Sequence, residues 1–222
     1  MNLSDRMKMY EKAYDISLPR RLPVIVRIDG KAFHTVTKKM EKPFDKYLND
    51  TMVHVTTQLV CGIDGCRLGY HQSDEISLLL INYNKFDSEA WFDNSLQKIA
   101  SVSASMATKI FANTWGEIQA MFDARRFVLP ENEVYNYFLW RQQDWIRNSV
   151  QMLAHSLYSH RELVGKSTEE LHDMCFVKGY NWNDLWPMYK NGTFVDRHTF
   201  YNKLILKDNK DFMDKYLEIE DK

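Results

Sequence analysis

Apolar positions along the chain recur in blocks whose spacing predicts alternating strands and helices. Residues 23–28 form a β-branched run that predicts a buried strand, and the run ends at Asp29. Residues 45–60 repeat apolar side chains at helical spacing and predict a helix. The next apolar blocks, up to residue 81, predict a hairpin whose bend is Ser73-Asp74.

The blocks that follow complete the order of a known type of sheet. Residues 88–112 predict a long helix with Ser88 as its N-cap, and residues 119–128 predict a fourth strand. Strand, helix, hairpin, helix and strand is the order of a ferredoxin-like sheet with helices on one face. This sheet is also the palm of many polymerases and nucleotide cyclases. The predicted fold class is therefore α+β.

The C-terminal part of the chain is predicted to be mainly helical. Pro130 marks a boundary, so residues 1–130 are predicted to be a palm-like catalytic core and residues 131–222 a helical region packed on it. Residues 131–158 carry a half-apolar, half-polar helical pattern. A further helix is predicted to begin at Ser167, where the spacing of a capping box occurs.

Acidic residues fall at the bends of the predicted strands. Asp29 ends the first strand, just before Gly30, while Asp74 and Glu75 lie at the bend of the hairpin. We expect these bends to meet at one edge of the sheet. Magnesium needs only one or two protein carboxylates plus substrate phosphates, and two ions about 3.5 to 4 Å apart can hold both oxygens of a phosphoryl transfer. Taken alone, each aspartate would equally be a turn residue that bonds nearby backbone.

Composition and charge narrow the function classes only slightly. The chain has 222 residues, 45% of them apolar, which is enough to bury a full core. No stretch approaches the length of a membrane span and the N-terminus lacks the apolar core of a signal peptide, so a cytoplasmic protein with no membrane partner is predicted. Three cysteines cannot all pair and are predicted to be reduced thiols.

The net charge of −1 gives no global sign of nucleic-acid binding, but basic residues cluster in two segments. The first cluster is Lys31, Lys38, Lys39, Lys42 and Lys46, and the second is Arg141, Arg147, His155, His160, Arg161 and Lys166. Such clusters can contact a triphosphate or an RNA backbone. A solvated face is the more common explanation when charge is considered alone.

Five segments, spread through residues 27–144, occur in the order and spacing of a known family. They are 27–34 (RIDGKAFH), 42–45 (KPFD), 69–77 (GYHQSDEIS), 122–125 (FDAR) and 140–144 (WRQQD). On these segments the chain resembles the tRNA(His) guanylyltransferase superfamily, whose members extend RNA in the 3′-to-5′ direction.

The resemblance implies a nucleotidyltransferase that adds nucleotides to the 5′ end of tRNA. Family members activate that end by adenylylation of a monophosphate or use a triphosphate already present. The 3′-hydroxyl of an incoming nucleoside triphosphate then attacks the activated end. Two or more Mg²⁺ ions are implied as cofactors, ATP, GTP or other nucleoside triphosphates as substrates, and a homotetramer as the assembly.

The resemblance also implies roles for individual residues. The predicted catalytic residues are Asp29, Asp74 and Glu75; Asp29, Asp74 and the Gly30 carbonyl match metal ligands, and Glu75 matches an acidic residue with a supporting role. The predicted nucleotide and 5′-end contacts are Arg27, Gly30, Lys31, Ala32, Phe33, His34, Lys42 and Ser73. The predicted RNA contacts are Arg141, Arg147, Asn148 and His155. Structural alternatives stay open, since Arg27 could pair with a buried carboxylate, Lys42 could be solvated and Ser73 could cap the hairpin turn.

One departure from the family pattern bears on the choice of substrate. In enzymes that add the extra guanosine to histidine tRNA, a His-Ile-Asn-Asn motif follows the fifth segment. Here Ile146 stands in place of the histidine, and only Asn148 is kept. This pattern resembles the bacterial-type branch, so the predicted function is template-dependent repair of 5′-truncated tRNA. The first alternative is a tRNA(His) guanylyltransferase.

Two more distant alternatives use the same features differently. A palm-fold nucleotide cyclase would convert a nucleoside triphosphate without any RNA. A non-catalytic RNA-binding module would have no use for Asp29, Asp74 and Glu75, because a surface for a polyanion gains nothing from buried negative charge.

Overall fold

The computed structural model describes residues 1–85, 87–116 and 120–219, and its centre is a six-stranded antiparallel sheet. In chain order the strands are β1 Val24–Gly30, β2 Cys66–Gln72, β3 Glu75–Leu80, β4 Phe122–Val128, β5 Thr193–Val195 and β6 Phe200–Tyr201. They lie side by side in the order β4-β1-β3-β2-β5-β6. The ferredoxin-like prediction is confirmed by β1 to β4, while β5 and β6 extend the sheet and were not predicted. Gln119, the predicted start of the fourth strand, lies outside the described residues.

Helices precede, connect and follow these strands. They are α1 Leu3–Lys12, α2 Phe33–Val36, α3 Lys46–Gly62, α4 Leu96–Trp115, α5 Glu131–Leu157, α6 His160–Leu163, α7 Thr168–Val177, α8 Pro187–Asn191 and α9 Asp214–Leu217. The capping box predicted at Ser167 is confirmed, because its side chain accepts from the Glu170 N–H and Glu170 bonds back. Within the described ranges, no helix combines the length and apolar character needed to cross a bilayer.

The alternating side chains of β1 divide the core between the two faces of the sheet. Val24, Val26 and Ile28 pack with α3 and α4, which lie together on one face as predicted. Ile25 points to the opposite face, where α5 packs through residues such as Phe138. Both α5 and β5 follow residue 130, yet α5 packs on this sheet and β5 belongs to it. The division of the chain into two parts at residue 130 therefore stays a prediction.

The start of α4 corrects the sequence prediction, since the helix begins at Leu96 and not at Ser88. Phe92, Asp93 and Asn94 have φ angles of 50°, 50° and 58°, a left-handed conformation that an α-helix cannot contain. The Ser88 hydroxyl accepts instead from the Lys85 N–H at 2.8 Å and closes a turn.

A buried histidine supports the β2–β3 hairpin that carries Asp74. The His71 ring is 1% exposed, and its Nε2 lies 2.9 Å from the carbonyl oxygen of Ser73. Its Nδ1 is buried without a partner among the described residues. Burial lowers the pKa of His71 from 6.5 to about 4. The ring is therefore neutral in the folded protein at neutral pH.

We expect His71 to make the fold sensitive to acid. In the unfolded chain His71 binds a proton near pH 6.5, but in the folded protein only near pH 4. The stability that the neutral ring allows is therefore fully present above pH 6.5 and is lost as the pH falls from 6.5 to 4. Between pH 7.5 and 4.5 this contribution amounts to about 2 to 3 kcal/mol. Urea unfolding of wild type and His71→Gln at both pH values measures it. If both proteins lost the same unfolding free energy between the two pH values, the loss could not be assigned to His71.

Candidate active site

Asp29 and Asp74 meet where the strands end on one side of the sheet, Asp29 at the tip of β1 and Asp74 at the bend between β2 and β3. The β1–β3 register places Asp29 opposite Glu75, the residue after Asp74. Ser73, with a φ of 51°, turns the hairpin tightly. A Cβ added to Gly30 would lie 2.9 Å from Oδ2 of Asp74 and 2.3 Å from the Phe33 ring. A glycine at this position therefore leaves the room that the Asp74 carboxylate occupies.

The negative charge around Asp74 would attract a cation. Burial raises the pKa of the Asp74 carboxyl from 3.8 to about 6, and the negative charges of Asp29 and Glu75 add to the rise. Within the described part of the chain no three His, Cys, Asp or Glu side chains are arranged to hold an ion together, so an ion here would rest on two carboxylates and backbone oxygen. Such hard oxygen donors, completed by water and substrate phosphate, fit magnesium.

Glu75 is bound to protein donors on both of its oxygens. Its carboxylate accepts from Nε of Arg141 at 2.7 Å and from Nη2 of Arg141 at 2.9 Å. It also accepts from the guanidinium of Arg27 and from Nε2 of Gln72 at 3.2 Å. Since the residue is only 6% exposed, Glu75 holds two arginines beside the aspartates and leaves little of itself for a ligand.

Three of the four predicted RNA contacts lie in very different surroundings, and the fourth, Asn148, belongs to the cleft described next. Arg141 was predicted to contact RNA, but it is only 4% exposed and forms ion pairs with Glu75 and Asp144. Its guanidinium therefore does not lie on an exposed RNA-binding face. The cause is its place on the stripe of α5 that packs on the sheet. Arg147 is exposed and pairs with Asp144. His155 lies in a different cavity, where its ring is parallel to that of His160 at 5.8 Å.

A cleft opens at the two aspartates, and α5 forms its opposite wall. Arg27 and Ser73 line this cleft together with Asp29 and Asp74. The wall contributed by α5 consists of Arg141, Asp144, Trp145, Asn148 and Met152. Asp144, Trp145 and Met152 were missed as site residues, although their spacing along one helix face was a usable signal. Ile146 is not part of this wall.

A second cavity adjoins the cleft, with Ser73 and Trp145 lining both. Its other walls include Lys42, whose Nζ donates to the carbonyl oxygen of Thr37 at 3.1 Å. Phe44 stacks on Tyr189 with ring centroids 4.8 Å apart. The cavity thus combines flat aromatic rings with a lysine, which is a suitable lining for a nucleotide base and its phosphates. Tyr189 comes from the short helix α8, and no sequence motif announced it.

The nucleotide contacts of the loop after β1 stay a prediction, and the structure shows where its side chains and one of its N–H groups lie. The Phe33 side chain is buried in the core, with its ring 5.7 Å from both Phe111 and Phe122. The Lys31 N–H donates to the carbonyl oxygen of Met121 at 2.8 Å and is not free for a phosphate. The side chains of Lys31, Ala32 and His34 are exposed.

Comparison with known proteins adds independent findings. A family model described as tRNAHis guanylyltransferase matches residues 4–130. A bacterial tRNA(His) guanylyltransferase-like protein solved in complex with ATP is 42% identical, with a TM-score of 0.95 over 98% of this chain and 100% of that one. A structure of such a bacterial protein with GTP has a TM-score of 0.89 at 42% identity, over 98% and 99% of the two chains. The tRNA(His) guanylyltransferase of Schizosaccharomyces pombe is 29% identical over 83% of this chain and 77% of its own length.

Proposed function

The chain belongs to the tRNAHis guanylyltransferase family and is a tRNA nucleotidyltransferase, and we propose that it restores missing 5′ nucleotides on truncated tRNA in a template-dependent manner. The observation that carries the proposal is the convergence of Asp29 and Asp74 beside a cavity lined by aromatic rings, Lys42 and Ser73. The ATP and GTP complexes of the bacterial relatives support nucleoside triphosphates as its substrates.

The proposed reaction joins the new nucleotide to the 5′ side of the RNA. The 3′-oxygen of an incoming nucleoside triphosphate forms a bond to the 5′ phosphorus of the RNA and releases its proton. The bond to the leaving group breaks, and this group is AMP after adenylylation or pyrophosphate when a triphosphate was present. Asp29, Asp74 and the Gly30 carbonyl would hold Mg²⁺, which supplies charge stabilisation to both oxygens in such transfers.

The remaining residues of the site bind and orient the substrates in this proposal. Arg27 keeps 21% of its side chain exposed and lines the cleft, so its guanidinium would contact the substrate phosphates there. Glu75 and Arg141 act as positioning residues that hold Arg27 at this place. Lys42 and Ser73 contact the nucleotide whose base lies against Phe44. The two-part division at residue 130 and the homotetramer belong to the proposal as well.

Repair is preferred over guanosine addition because of the residues that follow Asp144. Ile146 has no hydrogen-bonding group, so it cannot read a base edge as a histidine could. It also lies off the cleft wall, so it does not contribute to the choice of nucleotide inside the cleft. Selection of the nucleotide then comes from pairing with the opposing strand of the acceptor stem. The names of several relatives keep guanosine addition as the second candidate.

A comparison of two RNA substrates tests the proposal. A truncated non-histidine tRNA and full-length histidine tRNA, both with 5′-triphosphate ends, are incubated with magnesium and the four nucleoside triphosphates. We expect the truncated tRNA to be extended until its acceptor stem is paired, with the added nucleotide following any change of the template base. Product length is read at single-nucleotide resolution.

Two controls distinguish the alternatives. Preference for adding guanosine to full-length histidine tRNA, or indifference to the template base, would replace repair by guanosine addition. A reaction mixture without RNA detects a cyclase, because a cyclase would consume the nucleoside triphosphate alone.

A further inference from the structure

Trp140 presents a large aromatic surface beside the catalytic cleft. It is 53% exposed, although a side chain of this size is buried to a large extent in most proteins. The Tyr137 ring supports it with centroids 6.0 Å apart, and the Arg141 guanidinium lies 4.5 Å from the centre of its rings. Since Glu75 holds Arg141, the indole lies against a guanidinium that itself borders the two aspartates.

Positive charge lies on the open sheet face next to this indole. Arg125 stands opposite Arg27 in the register of β4 and β1, so both point to the face that α5 covers only in part. Arg125 is exposed, and no described carboxylate forms an ion pair with it. Tyr137, which supports Trp140, also contacts Phe127, two residues further along β4 on the same face. An open aromatic ring and an unpaired arginine thus border the approach to the cleft.

We propose that Trp140 stacks on the terminal base pair of the RNA that is being extended, while Arg125 contacts a phosphate of the same RNA. The inference rests on the proposed function. Stacking is tolerant of sequence because every base has an aromatic face, and a repair enzyme must accept whichever base pair ends the stem. The incoming nucleotide is a poorer occupant, since the cavity with Lys42 and Phe44 already suits its base.

The test uses a truncated tRNA that carries 2-aminopurine as its 5′-terminal nucleotide, whose fluorescence is quenched on stacking. We expect wild type to quench it, and Trp140→Leu to lose the quenching. The KM for this tRNA should rise about 5- to 100-fold, the range for loss of one stacked base. The KM for each nucleoside triphosphate should stay within about twofold. Trp140→Phe, which keeps a ring, should retain most of the quenching.

Phe200→Leu is the matched control, because Phe200 is 55% exposed on β6 at the other edge of the sheet. Melting temperatures of all variants check folding. Arg125→Gln is a second, independent variant, which should weaken tRNA binding and reduce its salt dependence without affecting nucleotide use.

Several results would overturn the inference. They are unchanged quenching and tRNA KM in Trp140→Leu, a rise in nucleotide KM in place of tRNA KM, or failure of wild type to bind the RNA. Binding and quenching by a wild type that adds no nucleotide would leave the stacking role standing and refute the repair function.

Discussion

Replacement of Asp29 or Asp74 by alanine is expected to lower the rate of nucleotide addition by at least about a hundredfold. Glu75 and Asp144 also line the cleft but are paired with arginines, which leaves Asp29 and Asp74 for the metal, so each replacement removes charge stabilisation of several kcal/mol from the phosphoryl transfer. Every ~1.4 kcal/mol is about tenfold in rate. Single-turnover extension of truncated tRNA measures the effect. Retention of more than about a tenth of the wild-type rate would remove that residue from the metal site.

The same variants separate loss of the metal from loss of the fold. Burial and the neighbouring Asp29 disfavour the Asp74 carboxylate, so its removal should not lower the melting temperature in metal-free buffer and is expected to raise it slightly. Magnesium should raise the melting temperature of wild type, because an ion that binds only the folded protein stabilises it. It should raise that of either variant much less. Asp173→Ala, an exposed acid on α7, is the control and should behave as wild type.

The strands that carry the aspartates could be predicted because local physics determines them. The β-branched run before Asp29 can be buried in a sheet on both faces, and the polar residues after it interrupt that pattern. The bend at Ser73-Asp74 separates two apolar runs, so the hairpin and the meeting of its tip with β1 follow from the order of the elements. Lys42 has no such pattern around it, so its particular role was assigned through the family resemblance, and its basic cluster alone was also compatible with a solvated face.

Other parts of the site depend on contacts that no local pattern encodes. Arg141 and Glu75 are 66 positions apart in the chain, and only the packing of α5 on the sheet brings them together. The strands β5 and β6 have three and two residues, too few for an alternation to be recognised. The left-handed residues before α4 contain no glycine, so the late start of that helix had only the weak signal of Asp93 and Asn94 in the sequence.

Replacement of Glu75 by alanine is expected to cost about 3 to 5 kcal/mol of unfolding free energy, the range for breaking a buried ion pair from one side. It would leave Arg141, which is 4% exposed, and the partly buried Arg27 without their shared carboxylate. Urea unfolding in metal-free buffer measures the loss. Nucleotide addition should fall as well, because Arg27 would no longer be held at the cleft.

A double replacement tests whether the unpaired charge causes this loss. Glu75→Leu and Arg141→Leu should each destabilise strongly, whereas the double variant should lose less than the sum, since neither buried partner of the Arg141 pair then remains charged. Arg27 still faces an apolar residue in the double variant, so recovery should be partial. Additive losses, or a loss below about 1 kcal/mol for Glu75→Ala, would show that packing and not charge pairing determines the role of this network. If the double variant recovers part of the unfolding free energy but no activity, Glu75 and Arg141 are the residues that position Arg27 for the substrate.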